Sequence, residues 1–337
     1  MTSAEHPPAA ISAAGIPRID IAELAAPAVA ARRAVAARIG AACRDVGFFA
    51  IEGHGVPAAL VDAAFAESAR LFALPLAAKR EMAIDRLGSN RGYVGLGVEA
   101  LDETAAADHK EAFNLIWSDD GRTRPVNVWP PLPDFRITLQ AYFDALLAVG
   151  TRLHRAFALD LDLPEDFFAD RIDRPLATLR LLRYPAPAPA PAPVAADAGP
   201  ADDIGIPGAG AGTHTDYGNV TLLATDGVAG LQVRRRDGTW IDVPALPGAF
   251  VCNIGDCLMR WTNDVYVSTP HRVRRPLAER RSIAFFLDPN PDALVSAIPS
   301  CVAEGEVPRH APITTHDYLQ QRFAATYARP PAVPARG

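Results

Sequence analysis

Hydrophobic positions along the chain follow two different periods. From about Pro27 to Leu159 they recur mostly at helical spacing. Pro27-Ala28-Val29 opens an Ala-rich run that reaches Ile39, with proline suited to a first helical turn. Pro57 opens a second run, in which Leu60, Val61, Ala64, Phe65, Ser68 and Leu71-Phe72 fall on one face. The third and longest, Phe135 to Leu159, carries Ile137, Leu139, Tyr142, Phe143, Leu146, Leu147 and Leu153 as a wide apolar stripe. Between the first two, Gly47-Phe48-Phe49-Ala50-Ile51 reads as a short strand that stops at Gly53-His54-Gly55.

After Arg174 the period shortens to that of strands. Thr178–Tyr184, Asn219–Ala224, Leu231–Arg234, Trp240–Val243, Phe250–Ile254, His271–Arg274 and Ser282–Leu287 are short runs rich in strand formers. Asp226-Gly227, Asp237-Gly238, Pro247-Gly248 and Asp288-Pro289 separate them as turn signals. Many short strands at close spacing predict a sandwich or barrel, and a jelly roll fits that count. The expected fold is mainly β with α: a jelly-roll core behind a helical N-terminal region. Residues 1–175 form the mainly helical cap region and 176–291 the jelly roll. Residues 292–337 are a C-terminal extension with a closing helix from Thr314 to Tyr327, capped by Thr314 or Thr315. The roll is interrupted at 185–212 by a Pro/Ala/Gly-rich tract too poor in apolar side chains to build a core, hence a loop, either a lid or an inert insertion.

Composition narrows the class. The chain has 337 residues, 49% hydrophobic and 21% charged, as in ordinary globular proteins. A net charge of −6 leaves no basic surplus for a phosphate backbone, so nucleic acid is not an expected partner. The start has no basic segment followed by an apolar one, and no apolar stretch reaches the roughly 18 residues of a membrane span. Cys43, Cys252, Cys257 and Cys301 show no metal-ligand spacing and read as reduced thiols, mostly buried. A cytoplasmic protein, monomeric in the simplest expectation, is the reading.

Of eight histidines, one has a carboxylate two residues on in a strand-like context: His214-Thr215-Asp216. Residues i and i+2 of a strand share a face, so an imidazole and a carboxylate there can grip one ion. His271 heads a later strand about 55 residues on and supplies a third ligand if the roll brings the strands together. Two histidines and a carboxylate on one face leave coordination positions open, which suits Fe(II) and O2 chemistry; the same set also occurs with catalytic zinc. Arg280 and Ser282, again i and i+2, follow on the next strand. An inward guanidinium needs an anionic partner: a nearby Asp or Glu is the plainer one, and beside the histidine pair a dicarboxylate chelating the metal at its other end is the other.

These stretches resemble the isopenicillin N synthase-like family of Fe(II)/2-oxoglutarate-dependent dioxygenases. Gly212-Thr213-His214-Thr215-Asp216-Tyr217-Gly218, Asn253-Ile254-Gly255-Asp256, Ser268-Thr269-Pro270-His271-Arg272-Val273 and Arg280-Arg281-Ser282-Ile283 match its motifs in order. Gly47-Phe48-Phe49, Gly53-His54-Gly55-Val56 and Arg91-Gly92-Tyr93 are similar to its helical cap. The resemblance implies a double-stranded β-helix, with His214, Asp216 and His271 as iron ligands and Arg280 and Ser282 binding the distal carboxylate of 2-oxoglutarate. Tyr184 falls where the family often has a tyrosine near that co-substrate. Plant relatives commonly carry asparagine two positions earlier, where this chain has Leu182. It further implies Fe(II), 2-oxoglutarate and O2 as cofactor and co-substrates, and hydroxylation or desaturation of a small molecule. Ethylene and succinate formation from 2-oxoglutarate is the alternative within the family; a zinc hydrolase or a non-catalytic jelly-roll binder are the alternatives outside it.

The remaining polar candidates have plainer readings. His54 caps or packs in its glycine turn, His109 sits in a solvated charged run, His154 is a satisfied helix histidine, and Asp256 has a structural role. Arg91 and Tyr93 follow a loop whose counterpart lines the substrate mouth. Phe286 is a candidate pocket wall, as is Phe113, though core packing serves both.

Overall fold

In the computed structural model, residues 15–102, 107–118, 125–186 and 209–327 are described. The expected loop at 185–212 therefore falls, from 187 to 208, outside the described residues, as does the start of the chain before Gly15. Three helices carry the N-terminal apolar stripes: α1 (Val29–Asp45), α2 (Ala58–Phe72) and, after the short α3 (Leu76–Glu81) and α4 (Ile84–Leu87), the long α5 (Phe135–Asp160). Strands β1 (Arg18–Asp20), β2 (Phe48–Glu52), β3 (Gly92–Val94) and β4 (Glu111–Ile116) lie among them. Then follow β5 (Thr178–Tyr184), β6 (Ala211–His214), β7 (Val220–Thr225), β8 (Leu231–Arg234), β9 (Trp240–Asp242), β10 (Phe250–Ile254), β11 (His271–Val273) and β12 (Arg280–Leu287). The short α6 (Asp256–Trp261) follows β10, and α7 (Thr315–Tyr327) closes the chain, its Asp317 N–H donating to Thr314 Oγ1 at 3.1 Å.

Two sheets face each other. The larger runs β1-β2-β10-β7-β12-β5-β4-β3 and the smaller β6-β11-β8-β9; every pairing in them is antiparallel except β1 with β2. Their architecture is the expected jelly roll. Period two on β12 shows how one strand serves both sides of the large sheet. Ile283, Phe285 and Leu287 join the core with the helices, where Phe285 meets Phe143 of α5 edge-on at 5.1 Å. Arg280, Ser282, Ala284 and Phe286 face the space between the sheets. Gly150 lets α5 approach, since a Cβ there would come 2.6 Å from Leu287.

The N-terminal half is less helical than its periodicity predicts. It supplies both ends of the large sheet, β1-β2 at one and β4-β3 at the other. β4 is hidden in the sequence because it is buried on both faces while carrying Glu111 and Asn114, so its polar positions imitate a solvated run. The run Asp108-His109-Lys110-Glu111 is likewise not solvated as a whole: Asp108, Lys110 and Glu111 are each at most 3% exposed. Charge compensation makes that burial possible, as the site geometry shows. The cysteines are free, with Cys43, Cys252 and Cys257 buried.

Candidate active site

His214 ends β6, and His271, the first residue of β11, is its partner across the ladder. Asp216 lies two residues past the end of β6 rather than inside a strand. Its place is held from the β10–α6 turn: Asp256 N–H donates to Asp216 O at 2.8 Å, and Cys257 N–H to Gly218 O at 3.0 Å. Gly255 permits this contact, because a Cβ there would stand 2.4 Å from Gly218 O. Asp256 itself accepts from Ser268 Oγ at 2.6 Å, Tyr318 OH at 2.7 Å and Thr215 Oγ1 at 3.2 Å, tying both ligand loops to α7.

The three side chains converge with their spare lone pairs inward. Asn253 Nδ2, at 2.7 Å, and Thr221 Oγ1 both donate to Asp216 Oδ2. Oδ1 is left 3.8 Å from His214 Nε2 and 3.7 Å from His271 Nε2. Each imidazole directs Nδ1 to a backbone carbonyl, Gly212 O at 2.7 Å and Thr269 O at 3.1 Å. Those bonds place the proton on Nδ1 and free Nε2 for a metal. All three ligand atoms lie within 4.8 Å of one another, close enough for one divalent ion to meet them. Burial, then the neighbouring His271, holds the His214 imidazole down at about 3, so it is neutral. Burial works against the Asp216 carboxylate, but His271, His214, Asn253 and Thr221 together keep it below its ordinary value. Two imidazole nitrogens and a carboxylate oxygen are the donor set a first-row divalent metal takes.

A cavity of about 450 Å3 between the sheets contains the triad. At one end Arg280, 1% exposed, donates through Nε to Val228 O and through Nη1 to Ser282 Oγ, both at 3.2 Å. Its guanidinium lies 4.9 Å from the Tyr184 ring centre. No carboxylate among the described residues is paired with it. Leu182, Phe286, Arg91 and Asn114 also line the cavity, and α7 contributes His316, Leu319 and Gln320. Arg91 donates to Trp117 O at 3.2 Å. Tyr93 is absent from the described lining; its hydroxyl donates to Glu111 Oε2 at 2.6 Å inside the neighbouring core. Phe113 packs edge-on against Phe135.

Several groups do not stand out in the sequence. Thr221 and Asn253 orient Asp216, though only Asn253 belongs to a recognised motif. Lys110 pairs with Asp108 and lies 3.6 Å from Glu99, which also pairs with Arg180; Asp108 Oδ1 accepts from Gly212 N–H at 2.9 Å. Lys110 and Arg180 of this charge-compensated group line the cavity, and Asp108 steadies β6 just before His214. Asp288 also lines the cavity, and burial of its carboxyl, then the charge of Asp216, pushes it up to about 7. His54 and His154 are structural as read: His54 Nδ1 accepts from Val56 N–H at 3.1 Å with its ring stacked on Phe250. His154, held down at about 4 by burial, bridges Gly150 O and Asn219.

Comparison with known proteins gives concordant results. Residues 16–132 match the family described as the N-terminal region of non-haem dioxygenases in morphine synthesis, and residues 182–289 the 2OG-Fe(II) oxygenase superfamily. A 2-oxoglutarate-Fe(II) type oxidoreductase of Emericella nidulans, hxnY, is 36% identical over 318 residues, spanning 89% of this chain and 87% of the relative. A homoarginine-6-hydroxylase of Oryza sativa subsp. japonica is 30% identical over 298 residues, spanning 85% and 87%. A full-length Neurospora crassa protein, crystallised in complex with alpha-KG, superposes with a TM-score of 0.82 at 30% identity, covering 95% of this chain and 99% of that one. The same Neurospora protein is also known in complex with alpha-KG and thymine.

Proposed function

The chain belongs to the 2-oxoglutarate–Fe(II) oxygenase superfamily, and we propose that His214, Asp216 and His271 hold its iron while Arg280, Ser282 and Tyr184 receive the distal carboxylate of 2-oxoglutarate. Arg280 carries this reading. A guanidinium buried among neutral neighbours is costly unless an anion joins it, and a dicarboxylate reaching toward the triad supplies one. With iron and 2-oxoglutarate bound, such a site couples oxidative decarboxylation of the keto acid to oxidation of a C–H bond by O2. The protein's own share is to hold both imidazoles by their Nδ1 atoms on backbone carbonyls, to fix Asp216 Oδ1 toward them through Asn253 and Thr221, and to shield the reacting centre from water.

The prime substrate is a compact organic molecule undergoing hydroxylation or desaturation, in keeping with a cavity of about 450 Å3 shared with the co-substrate. Of the substrate candidates read from the sequence, Arg91 and Phe286 line it, whereas Tyr93 supports the wall through Glu111. A reduced, cytoplasmic setting agrees with the free cysteines. Zinc would also accept the triad, but a hydrolase has no use for the unpaired Arg280. The test is anaerobic titration of the protein with Fe(II) and then 2-oxoglutarate. A weak visible metal-to-ligand charge-transfer band is expected in the wild type, and loss of succinate formation in His214→Ala, Asp216→Ala and His271→Ala. Near-wild-type succinate formation in any of the three would remove that residue from the ligand set.

A further inference from the structure

One face of β12 lays out the pocket in order. Arg280, Ser282, Ala284 and Phe286 line it, and Asp288 continues that face just beyond the strand. In the ladder with β7, Ser282 is opposite Thr225, Ala284 opposite Leu223 and Phe286 opposite Thr221. Thr221 is a donor to Asp216, so Phe286 marks the depth of the proposed iron ligands. Arg280 therefore lies to one side of the triad and Asp288 to the other, away from the co-substrate end.

Charge on the cavity wall is largely compensated from within. Lys110 is paired with Asp108, and Arg180 with Glu99. On the reading above, Arg280 meets 2-oxoglutarate and Asp216 meets iron. Asp288 is different: no hydrogen bond or ion pair within the described residues reaches its carboxylate. Nor is it a loose surface group. It rests against the backbone at Gly218, where a Cβ would stand 1.6 Å from Asp288 Oδ1, and Asn219 N–H donates to Leu287 O beside it at 3.2 Å. Partly open to the cavity and pushed up to about 7 by burial and the charge of Asp216, this carboxyl is stabilised in its ionised form by a ligand that brings a donor. Phe286 sets an aromatic ring two residues away on the same face. A ring face beside a carboxylate suits a flat group that stacks through its plane and donates N–H from its edge.

Building on the assignment of the iron and keto-acid ends, we propose that Asp288 is the specificity-determining residue of the prime-substrate subsite, accepting a hydrogen bond from an N–H of a nitrogen-bearing substrate. Cationic guanidines and neutral ring N–H compounds share this chemistry. A hydroxyl-only substrate would leave the carboxylate's charge less well offset.

The experiment is anaerobic calorimetric titration of the full-length enzyme, loaded with Fe(II) and 2-oxoglutarate, with agmatine, thymine and 1,3-dimethylthymine. Agmatine carries a cationic guanidine, thymine neutral ring N–H groups, and the dimethyl compound none. At least one N–H probe is expected to bind the wild type tenfold or more tighter than 1,3-dimethylthymine. Asp288→Ala should erase that preference. Asp288→Asn, checked for folding by circular dichroism, separates the two sources: it keeps an acceptor for thymine but removes the charge that agmatine needs. Equal binding of the methylated and N–H probes, binding of neither N–H probe, or unchanged affinity in Asp288→Ala overturns the proposal. Failure of the wild type to take up 2-oxoglutarate in the loading step would instead overturn the functional reading on which it rests.

Discussion

Arg280 has Val228 O, Ser282 Oγ and the Tyr184 ring around it, so each neighbour is neutral while the guanidinium is nearly inaccessible. Its planar fork can meet a carboxylate with two parallel hydrogen bonds, and an ammonium cannot. Arg280→Lys should keep the charge, lose one charge-assisted bond worth about 1.5–3 kcal/mol, and weaken 2-oxoglutarate binding by roughly one to two decades. Arg281, the next residue, turns away from the cavity and pairs with Glu279, so Arg281→Ala should leave that affinity nearly as it was. Keto-acid binding to the Fe(II) forms without O2 decides the matter; a stronger effect at 281 than at 280 would put the strand register off by one. Arg280 and Ser282 were legible in the sequence because a two-residue spacing within one strand fixes a shared face. Asn253, Thr221 and Asp288 were not. Their roles depend on which strands become neighbours, and nothing local to any of them encodes that β7 lies between β10 and β12.

At the level of elements, β4 shows how burial can disguise a strand. Glu111 is 2% exposed, yet Lys79 Nζ, Tyr93 OH and Arg183 Nη1 reach it at 2.7, 2.6 and 2.6 Å. A charged residue with three donors sits safely inside a sheet, but in sequence it reads as a surface residue. The same ambiguity makes Asp108-His109-Lys110-Glu111 look like a solvated run, whereas α2 and α5, with apolar stripes and polar backs, are legible nearly to their ends, and α1 runs six residues past Ile39, the predicted end of its Ala-rich run. Glu111→Gln breaks a buried ion pair and leaves Lys79 less compensated, which should cost about 3 kcal/mol in urea unfolding. Burial alone would raise the Glu111 carboxyl, but the bonds from Lys79, Tyr93 and Arg183 outweigh it and hold it below the ordinary value of 4.5. A depressed folded-state pKa means that the unfolded chain binds the proton more readily. The stabilisation is therefore complete above about pH 4.5 and disappears as pH falls through the folded value. Thermal melting of the wild type should accordingly fall more steeply than that of Glu111→Gln between neutral pH and pH 3, the two curves converging on the acid side. Parallel curves would mean that Glu111 carries no such linkage.

Over the whole molecule, the β runs between Thr178 and Leu287 were legible to within about two residues except β6, whose Ala211 and Gly212 belong to the predicted loop; β2 was legible too, but the closing of the large sheet by β1, β3 and β4 was not. Strand length explains the difference: β1 and β3 have three residues each, too few to set a period. The Pro/Ala/Gly tract bears on how much of the chain the fold requires. Its described ends are close together, for a Cβ on Gly210 would stand 3.0 Å from the Tyr184 ring, and His109 N–H donates to Ala209 O at 2.9 Å. Both flanking strands are anchored independently, β5 by β12 and β4, and β6 by β11. Replacing residues 187–208 with about four Gly/Ser residues should thus preserve the fold. Making the connection several-fold shorter reduces the entropy of closing it, which should stabilise the protein by about 1.5 kcal/mol. Equilibrium unfolding of the shortened chain measures this, with anaerobic 2-oxoglutarate binding as the check that β5 still presents Tyr184 to Arg280. A loss of several kcal/mol would show that the tract packs against the fold. Intact stability with lost coupling between 2-oxoglutarate consumption and substrate oxidation would make it a lid; intact stability with intact coupling would make it an insertion that the chemistry does not use.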